Sequence, residues 1–185
     1  FLPVVSPPVS FESRFIQSAF KIGFNFSRHQ PNRKRQMNSW KNVVEFVRDT
    51  YQISGKVNIQ PYTYRVGFAA LGAGTTQNGT LNAQATSDFI LLNPYYRASV
   101  DDASPDVTPL ARVLITDAGS SNQYMDQAVD LTTFFGKPGD AEYSLQYPRI
   151  ISGRSALQIQ LSNYSAALSY NVELSFAGVL VQAYN

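Results

Sequence analysis

Apolar and polar residues alternate along much of the chain, so that every second side chain is apolar. The alternation is clearest in residues 156–162 and 170–176, near the C-terminal end. A period of two buries one face of a strand and leaves the other face in water, so both segments are predicted to be half-buried strands. The first strand ends at Asn163, so only residues 164–169 link the two strands, and a link this short predicts an antiparallel hairpin.

Two segments depart from simple alternation. Residues 88–92 are apolar after Asp88 and end at Asn93-Pro94, which is typical of a strand buried on both sides. In the last strand the alternation slips after Phe176, at Gly178, and resumes at Val179. This slip predicts a β-bulge that bends the last strand.

Shorter alternating segments complete the picture of the fold. They predict further strands over residues 57–59, 62–68, 80–86 and 111–117, and one more strand within residues 124–135. Turn-forming residues separate them, with loops predicted over 72–79 and 101–109. The total is about eight strands at a spacing of about ten residues. This pattern predicts an all-β fold, namely a two-sheet antiparallel sandwich.

Residues 38–51 are the best candidate for a helix. Their apolar side chains follow the spacing i, i+3, i+4, i+7, i+11 at Trp40, Val43, Val44, Val47 and Tyr51. Asn38 or Ser39 is a suitable N-cap. The β-branched residues 43–47 also suit a strand, so both structures stay open for this segment.

Residues 1–36 are predicted to form an extended arm, and residues 37–185 a single sandwich domain. Three prolines among the first eight residues favour an extended start. The arm then carries five phenylalanines, at Phe11, Phe15, Phe20, Phe24 and Phe26. Side chains this apolar must pack on the chain's own body or on another subunit. We favour another subunit and assign these five residues to an inter-subunit contact.

Charge is unevenly distributed along the chain. Residues 1–60 contain nine Lys or Arg against three Asp or Glu, whereas residues 61–185 contain six against ten. A basic arm on a mildly acidic body suits attraction between copies. A basic loop carries Arg28, Arg33, Lys34 and Arg35, which could contact an acidic partner or nucleic acid. A solvated linker is the simpler interpretation of this loop, and nucleic acid is not the favoured partner.

Composition excludes several kinds of chemistry. The chain has no cysteine, which excludes disulfides, thiolate zinc sites and a cysteine nucleophile. The one histidine, His29, lies in the basic loop, where neighbouring cations disfavour a metal site or a catalytic imidazolium. No apolar run reaches the roughly 18 residues of a membrane helix. We therefore expect no catalytic residues, no cofactor, no metal and no membrane span.

Weaker candidates each have a simpler explanation. Ser155 follows Gly153-Arg154 but lacks the strand–turn–helix setting of a nucleophile elbow. Asp101, Asp102 and Asp106 lack the spacing of a calcium loop. The carboxylates that a glycosidase could pair are Asp88, Asp117, Asp130, Glu142 and Glu173. Nothing in the sequence nominates a pair of them.

Two other sets of polar residues leave alternatives open. Acceptor sequons for N-glycosylation start at Asn25, Asn78 and Asn163 and matter only in a protein secreted from a eukaryotic cell. Tyrosines that suit sugar stacking, a protein interface or simple edge packing are Tyr95, Tyr96, Tyr124, Tyr143 and Tyr147.

The order of strands and turns within residues 60–184 suggests a family. The segments that carry it are Asp88-Phe89-Ile-Leu-Leu, Arg112-Val-Leu-Ile-Thr-Asp117, Phe134-Phe-Gly136, Tyr147-Pro-Arg-Ile-Ile-Ser-Gly153, the strand from Leu157 to Asn163, and Leu174-Ser-Phe-Ala-Gly178. Their order resembles that of the single jelly-roll virion structural proteins of bacteriophages, meaning capsid, minor capsid, vertex or decoration subunits. The resemblance implies a sandwich of jelly-roll type, a place in the virion and oligomeric assembly. It carries over no catalytic residue, and the first sixty residues lie outside it.

The sequence therefore predicts a virion structural protein that assembles through its β-sandwich body and its aromatic, basic arm. Its expected partners are copies of itself and other virion proteins. The alternative is a carbohydrate-binding or receptor-binding β-sandwich module, with a tyrosine-rich face or an acidic calcium loop. A third interpretation, a glycosidase or other hydrolase, requires two carboxylates facing each other across a cleft.

Overall fold

The computed structural model describes residues 40–52, 57–100, 105–137, 144–145 and 147–183. In chain order its elements are α1 (Trp40–Tyr51), β1 (Val57–Leu71), β2 (Thr76–Asn82), β3 (Asp88–Ser99), β4 (Ala111–Asp117), β5 (Asn122–Gln123), β6 (Val129–Asp130), α2 (Leu131–Phe134), β7 (Arg149–Ile151), β8 (Ala156–Asn163) and β9 (Tyr170–Ala183). No helix within these ranges is long and apolar enough to cross a membrane.

The strands form two antiparallel sheets. Sheet A has the order β1-β9-β3-β7, and sheet B has the order β2-β8-β4-β5 with β6 also beside β4. Side chains from both sheets share one core, in which Phe89 and Phe176 of sheet A lie with Ile115, Ile159 and Leu161 of sheet B. The predicted all-β, two-sheet antiparallel sandwich is confirmed. The described residues hold nine strands where about eight were expected.

The predicted C-terminal hairpin is wrong, because β8 and β9 belong to different sheets. β8 lies between β2 and β4 in sheet B, whereas β9 lies between β1 and β3 in sheet A. The alternation shows correctly that each strand buries one face. The buried faces of β8 and β9 pack against each other across the core, and the two strands are not neighbours in one sheet. The link over 164–169 therefore crosses from one sheet to the other.

Buried side chains organise this crossing. Asn163, at the end of β8 and 2% exposed, donates from Nδ2 to the carbonyl oxygens of Leu71, Gly72 and Leu168 at 3.0, 3.1 and 2.7 Å. Its Oδ1 accepts from the backbone N–H of Ser165 at 2.8 Å. One side chain therefore satisfies backbone groups both at the end of β1 and in the link over 164–169, and it ties the two together.

Helix α1 covers part of the outer face of sheet A. Val43 and Val47 pack on a second apolar cluster that includes Ile90, Leu92 and Val179. The predicted helix is confirmed from Trp40 to Tyr51, and its first two residues lie outside the described ranges. The helix also explains the two-sided burial predicted for residues 88–92, since Ile90 and Leu92 face it.

The bulge predicted in the last strand is wrong. Phe176 and Leu180 continue the inward face of β9, while Val179 and Val181 belong to the cluster under α1. The apparent slip arises because this part of β9 is buried on both faces. The irregularity lies on β3 instead, where Leu91 pairs with Gly178 and Asn93 with Ala177. The extra residue shifts the alternation of β3, so that Tyr96 and Ala98 face the core after Phe89 and Leu91.

Three boundaries also differ from the prediction. The loop predicted over 72–79 is shorter, because β2 begins at Thr76. β3 does not stop at Asn93-Pro94 but continues to Ser99, since the irregularity beside Gly178 absorbs the interruption. The strand predicted within residues 124–135 is β6, which has only two residues and is followed directly by the short helix α2.

Candidate functional site

The outer face of sheet A is only partly covered by α1. The helix has twelve residues, or about 18 Å, whereas the fourteen residues of β9 span about 46 Å. Val179 and Val181 of β9 lie in the cluster under the helix, but Ala177, on the same face, does not. The uncovered stretch next to the start of α1 forms an open groove.

We call this feature the Trp40 groove. It encloses about 440 Å³ and is lined by Trp40, Val43, Pro61, Tyr62, Thr63, Leu92, Asn93, Tyr95, Ala177, Gly178 and Val179. Trp40 is 50% exposed, although it is the first apolar residue of the predicted helical stripe. The groove therefore presents aromatic and aliphatic surface to solvent.

Charged side chains follow the groove along the same face. Arg65, two residues after Thr63, donates through Nε to Glu173 at 3.0 Å and makes a second contact through Nη2. Arg97, two residues after Tyr95, donates through Nε to Asp106 at 2.7 Å. All four side chains are substantially exposed, so each pair contributes little to stability and mainly sets the polarity of this part of the face.

Asp117, the most buried carboxylate among the described residues, has a structural role. It accepts hydrogen bonds from the Gly119 N–H at 2.9 Å, from the Ser120 hydroxyl at 2.8 Å and from the Ser155 hydroxyl. Burial raises the pKa of Asp117, but these hydrogen bonds outweigh burial and hold the pKa below its ordinary value. Ser155 is itself buried, and the carboxylate that accepts its hydrogen bond is a weak base because its pKa is lowered, so this pair does not make Ser155 an activated nucleophile.

Tyr124 lies near this carboxylate. Burial, followed by the negative charge of Asp117, raises the pKa of Tyr124 to about 12, and the cation of Arg149 opposes the shift. The guanidinium carbon of Arg149 lies 5.6 Å from the centroid of the Tyr124 ring. The Tyr124 hydroxyl is buried without a hydrogen-bond partner in the described part of the chain.

The other candidate carboxylates have separate partners. Asp88 accepts from the Tyr51 hydroxyl at 2.9 Å and from the Gly153 N–H at 2.8 Å. Asp130 pairs with Arg112 at 3.2 Å, and Glu173 pairs with Arg65. Glu142, Asp101 and Asp102 lie outside the described residues. Within the described ranges, no three His, Asp or Glu side chains form a group suited to a metal ion.

The predicted sequons differ in accessibility. Asn163 is buried and uses its amide in three hydrogen bonds, so it cannot accept a glycan without disrupting the corner. Asn78 is exposed on β2. Asn25 lies outside the described residues.

The candidate tyrosines do not form one face. Tyr95 is half-buried in the Trp40 groove, Tyr96 is a core residue at 2% exposure, and Tyr147 is 71% exposed. Tyr143 lies outside the described residues. Of the alternatives left open for these tyrosines, packing inside the sandwich holds for Tyr96, whereas Tyr147 is exposed to solvent.

The residues assigned to the arm belong to the part of the chain that precedes the described ranges. Phe11, Phe15, Phe20, Phe24, Phe26, Arg28, His29, Arg33, Lys34 and Arg35 all lie outside the described residues, as does the boundary predicted at residue 36. Sequence reasoning missed the Trp40 groove as a site. The available signal was the tryptophan at the first position of the helical stripe. At the end of a helix an apolar side chain is buried only if the apolar surface beneath the helix extends as far as that side chain.

Comparison with known proteins adds no relative. No protein-family model matches the chain, and no curated protein matches its sequence.

Proposed function

We propose that the chain is a structural subunit of a virus particle, specifically of a bacteriophage, with a jelly-roll body. The observation that carries this proposal is the nested pairing of β1 with β9, β2 with β8, β3 with β7 and β4 with β5. A long antiparallel ribbon that folds over itself produces such pairs and divides its strands between two sheets, as in a jelly roll. Jelly rolls serve as viral capsid subunits, lectin domains and cupins, so the fold limits the class without selecting a function.

The Trp40 groove supports assembly as the function. Its exposed aromatic surface suits burial against another apolar segment. We assign that role to residues 11–26 of a second copy, because they contain five phenylalanines within sixteen residues. Each phenylalanine that is fully buried contributes on the order of 1.5–3 kcal/mol, so several buried together would support a stable contact between subunits.

Charge favours a protein neighbour over nucleic acid. The first sixty residues carry the excess of basic side chains, and the body carries the excess of acidic ones. Opposite charges on arm and body favour contacts between copies of one chain.

Deletion of residues 1–36 tests whether the arm drives assembly. Sedimentation of the full chain is expected to show an oligomer, and the deleted chain should sediment as a smaller species. Thr63→Arg, in the groove, should have the same effect, whereas Gln60→Arg, on the same strand but outside the groove, should not. The same number of subunits in the assemblies of the full and the deleted chain would reject the arm as the assembly element.

Cysteine cross-linking tests whether the arm reaches a second copy, and the chain has no cysteine to interfere. One tagged chain carries Phe20→Cys, and a second chain with a different tag carries Thr63→Cys. We expect a disulfide between the two tags after oxidation of the mixture. A control with Thr80→Cys, on sheet B, should give none. Cross-linking only within a chain that carries both cysteines would place the arm on its own body.

A further inference from the structure

The centre of the outer face of sheet B is built mostly from uncharged side chains that can donate and accept hydrogen bonds. Residues directly opposite each other on paired strands point to the same face. Two adjacent rows form the centre of this face: Thr80, Gln158, Thr116 and Gln123 in one, and Asn78, Gln160 and Leu114 in the other. The first row crosses four strands, or about 14 Å from end to end at ordinary strand spacing.

This face differs in charge from the opposite one. Sheet A presents Arg65, Arg97 and Glu173 on its outer face, whereas neither central row of sheet B contains a charged residue. Solvated surfaces ordinarily carry about 25–35% charged residues of both signs. The charged residues on the outer side of β4 and β6, Arg112 and Asp130, pair with each other at 3.2 Å.

The two rows enclose a shallow recess of about 300 Å³. Its lining combines the amides of Asn78, Gln158 and Gln160 with the Thr116 hydroxyl and the half-buried Leu114 side chain. The Thr80 hydroxyl donates to Oε1 of Gln158 at 3.1 Å, which orients that amide within the row. The recess therefore offers donors and acceptors around an apolar patch, and a hydrogen bond holds one of its amides in orientation.

We propose that this face binds a neutral oligosaccharide. A primary amide offers two donors and one acceptor oxygen, and a hydroxyl offers one of each, so together they match the hydroxyl groups of a sugar. Leu114 supplies an apolar contact for the carbon–hydrogen face of a sugar ring. No charge in either row selects an acidic or basic ligand. Such a site would let a particle subunit attach to an uncharged surface glycan.

Titration with defined sugars tests the proposal. Isothermal titration calorimetry of the full chain with maltohexaose, cellohexaose, chitohexaose and xylohexaose is expected to show saturable binding of at least one. Gln160→Leu should weaken that binding at least fivefold, because it removes donors and an acceptor from the recess. Gln60→Leu, the same change at an exposed position on β1, should leave it unchanged.

Gln160→Glu separates recognition from folding. It keeps the length of the side chain and adds a charge, so binding should fall while the melting temperature stays the same. Failure of all four sugars to bind would overturn the proposal, as would binding unchanged by Gln160→Leu. Self-association that Gln160→Glu abolishes would instead identify the face as a contact between copies and would also overturn it.

Discussion

Replacement of Gly178 by alanine tests how β3 and β9 meet in sheet A. A Cβ atom at this position would clash with the carbonyl oxygen of Ile90 and would lie 2.9 Å from Cζ of Phe89. Both strands are fixed at this point, because Leu91 pairs with Gly178 and the same stretch packs on the core and on α1. The clash therefore cannot be relieved by rotation of a side chain alone.

The expected cost follows from the backbone movement that the clash demands. Overpacking a core costs about 1–3 kcal/mol, and a clash with main chain belongs at the upper end. We expect Gly178→Ala to lower the free energy of unfolding by about 3 kcal/mol. For a domain of this size that corresponds to a fall of about 6–12 °C in melting temperature.

Gly67→Ala is the matched control. Gly67 lies on the neighbouring strand β1, and a Cβ there would have no atom within 4 Å. The substitution should stabilise the fold by about 0.5–1 kcal/mol, because alanine loses less backbone entropy than glycine. Urea and thermal denaturation followed by circular dichroism measure both variants. Equal stability of the two variants would refute the close approach of β3 to Gly178.

Three further substitutions test polar sites. Asn163→Ala should lower the free energy of unfolding in urea by about 2–4 kcal/mol, because buried carbonyl groups lose their donor; Asn78→Ala, on the surface, should change it by less than about 0.5 kcal/mol. Because the folded pKa of Asp117 is lowered, its ionised form adds stability above about pH 4 that is lost as pH falls through the folded pKa. Asp117→Asn should therefore flatten the acid limb of stability against pH, and an unchanged slope would contradict this. With the pKa of Tyr124 raised to about 12, the unfolded chain releases this proton first, near pH 10, so stability falls as pH rises between these values. Tyr124→Phe should reduce that alkaline loss in denaturation measured from pH 9 to 12.

Local periodicity was sufficient to predict most of the individual elements. The strand over 111–117 matches β4 at both ends, and the helical spacing from Trp40 to Tyr51 matches α1. These predictions succeed because each depends on which side chains turn inward within one segment.

Sheet membership could not be predicted in the same way. Alternation shows that β8 and β9 each bury one face, but it does not show against which strand each one pairs. β9 pairs with β1. The paired residues Val57 and Ala183 are separated in sequence by nearly the whole described chain. The sequence analysis paired β9 with β8 because β8 is its neighbour in the chain. In the structure the link between them instead crosses from sheet B to sheet A, and Asn163 stabilises that link.

The Trp40 groove depends on this nonlocal pairing, which is why sequence did not reveal it. β1 follows α1 closely in the chain and pairs with β9, and β9 pairs with β3. The helix can therefore pack on both β9 and β3, where Val179 and Ile90 supply apolar residues on the outer face. Its first residue, Trp40, then lies where that apolar surface gives way to Thr63 and Ala177.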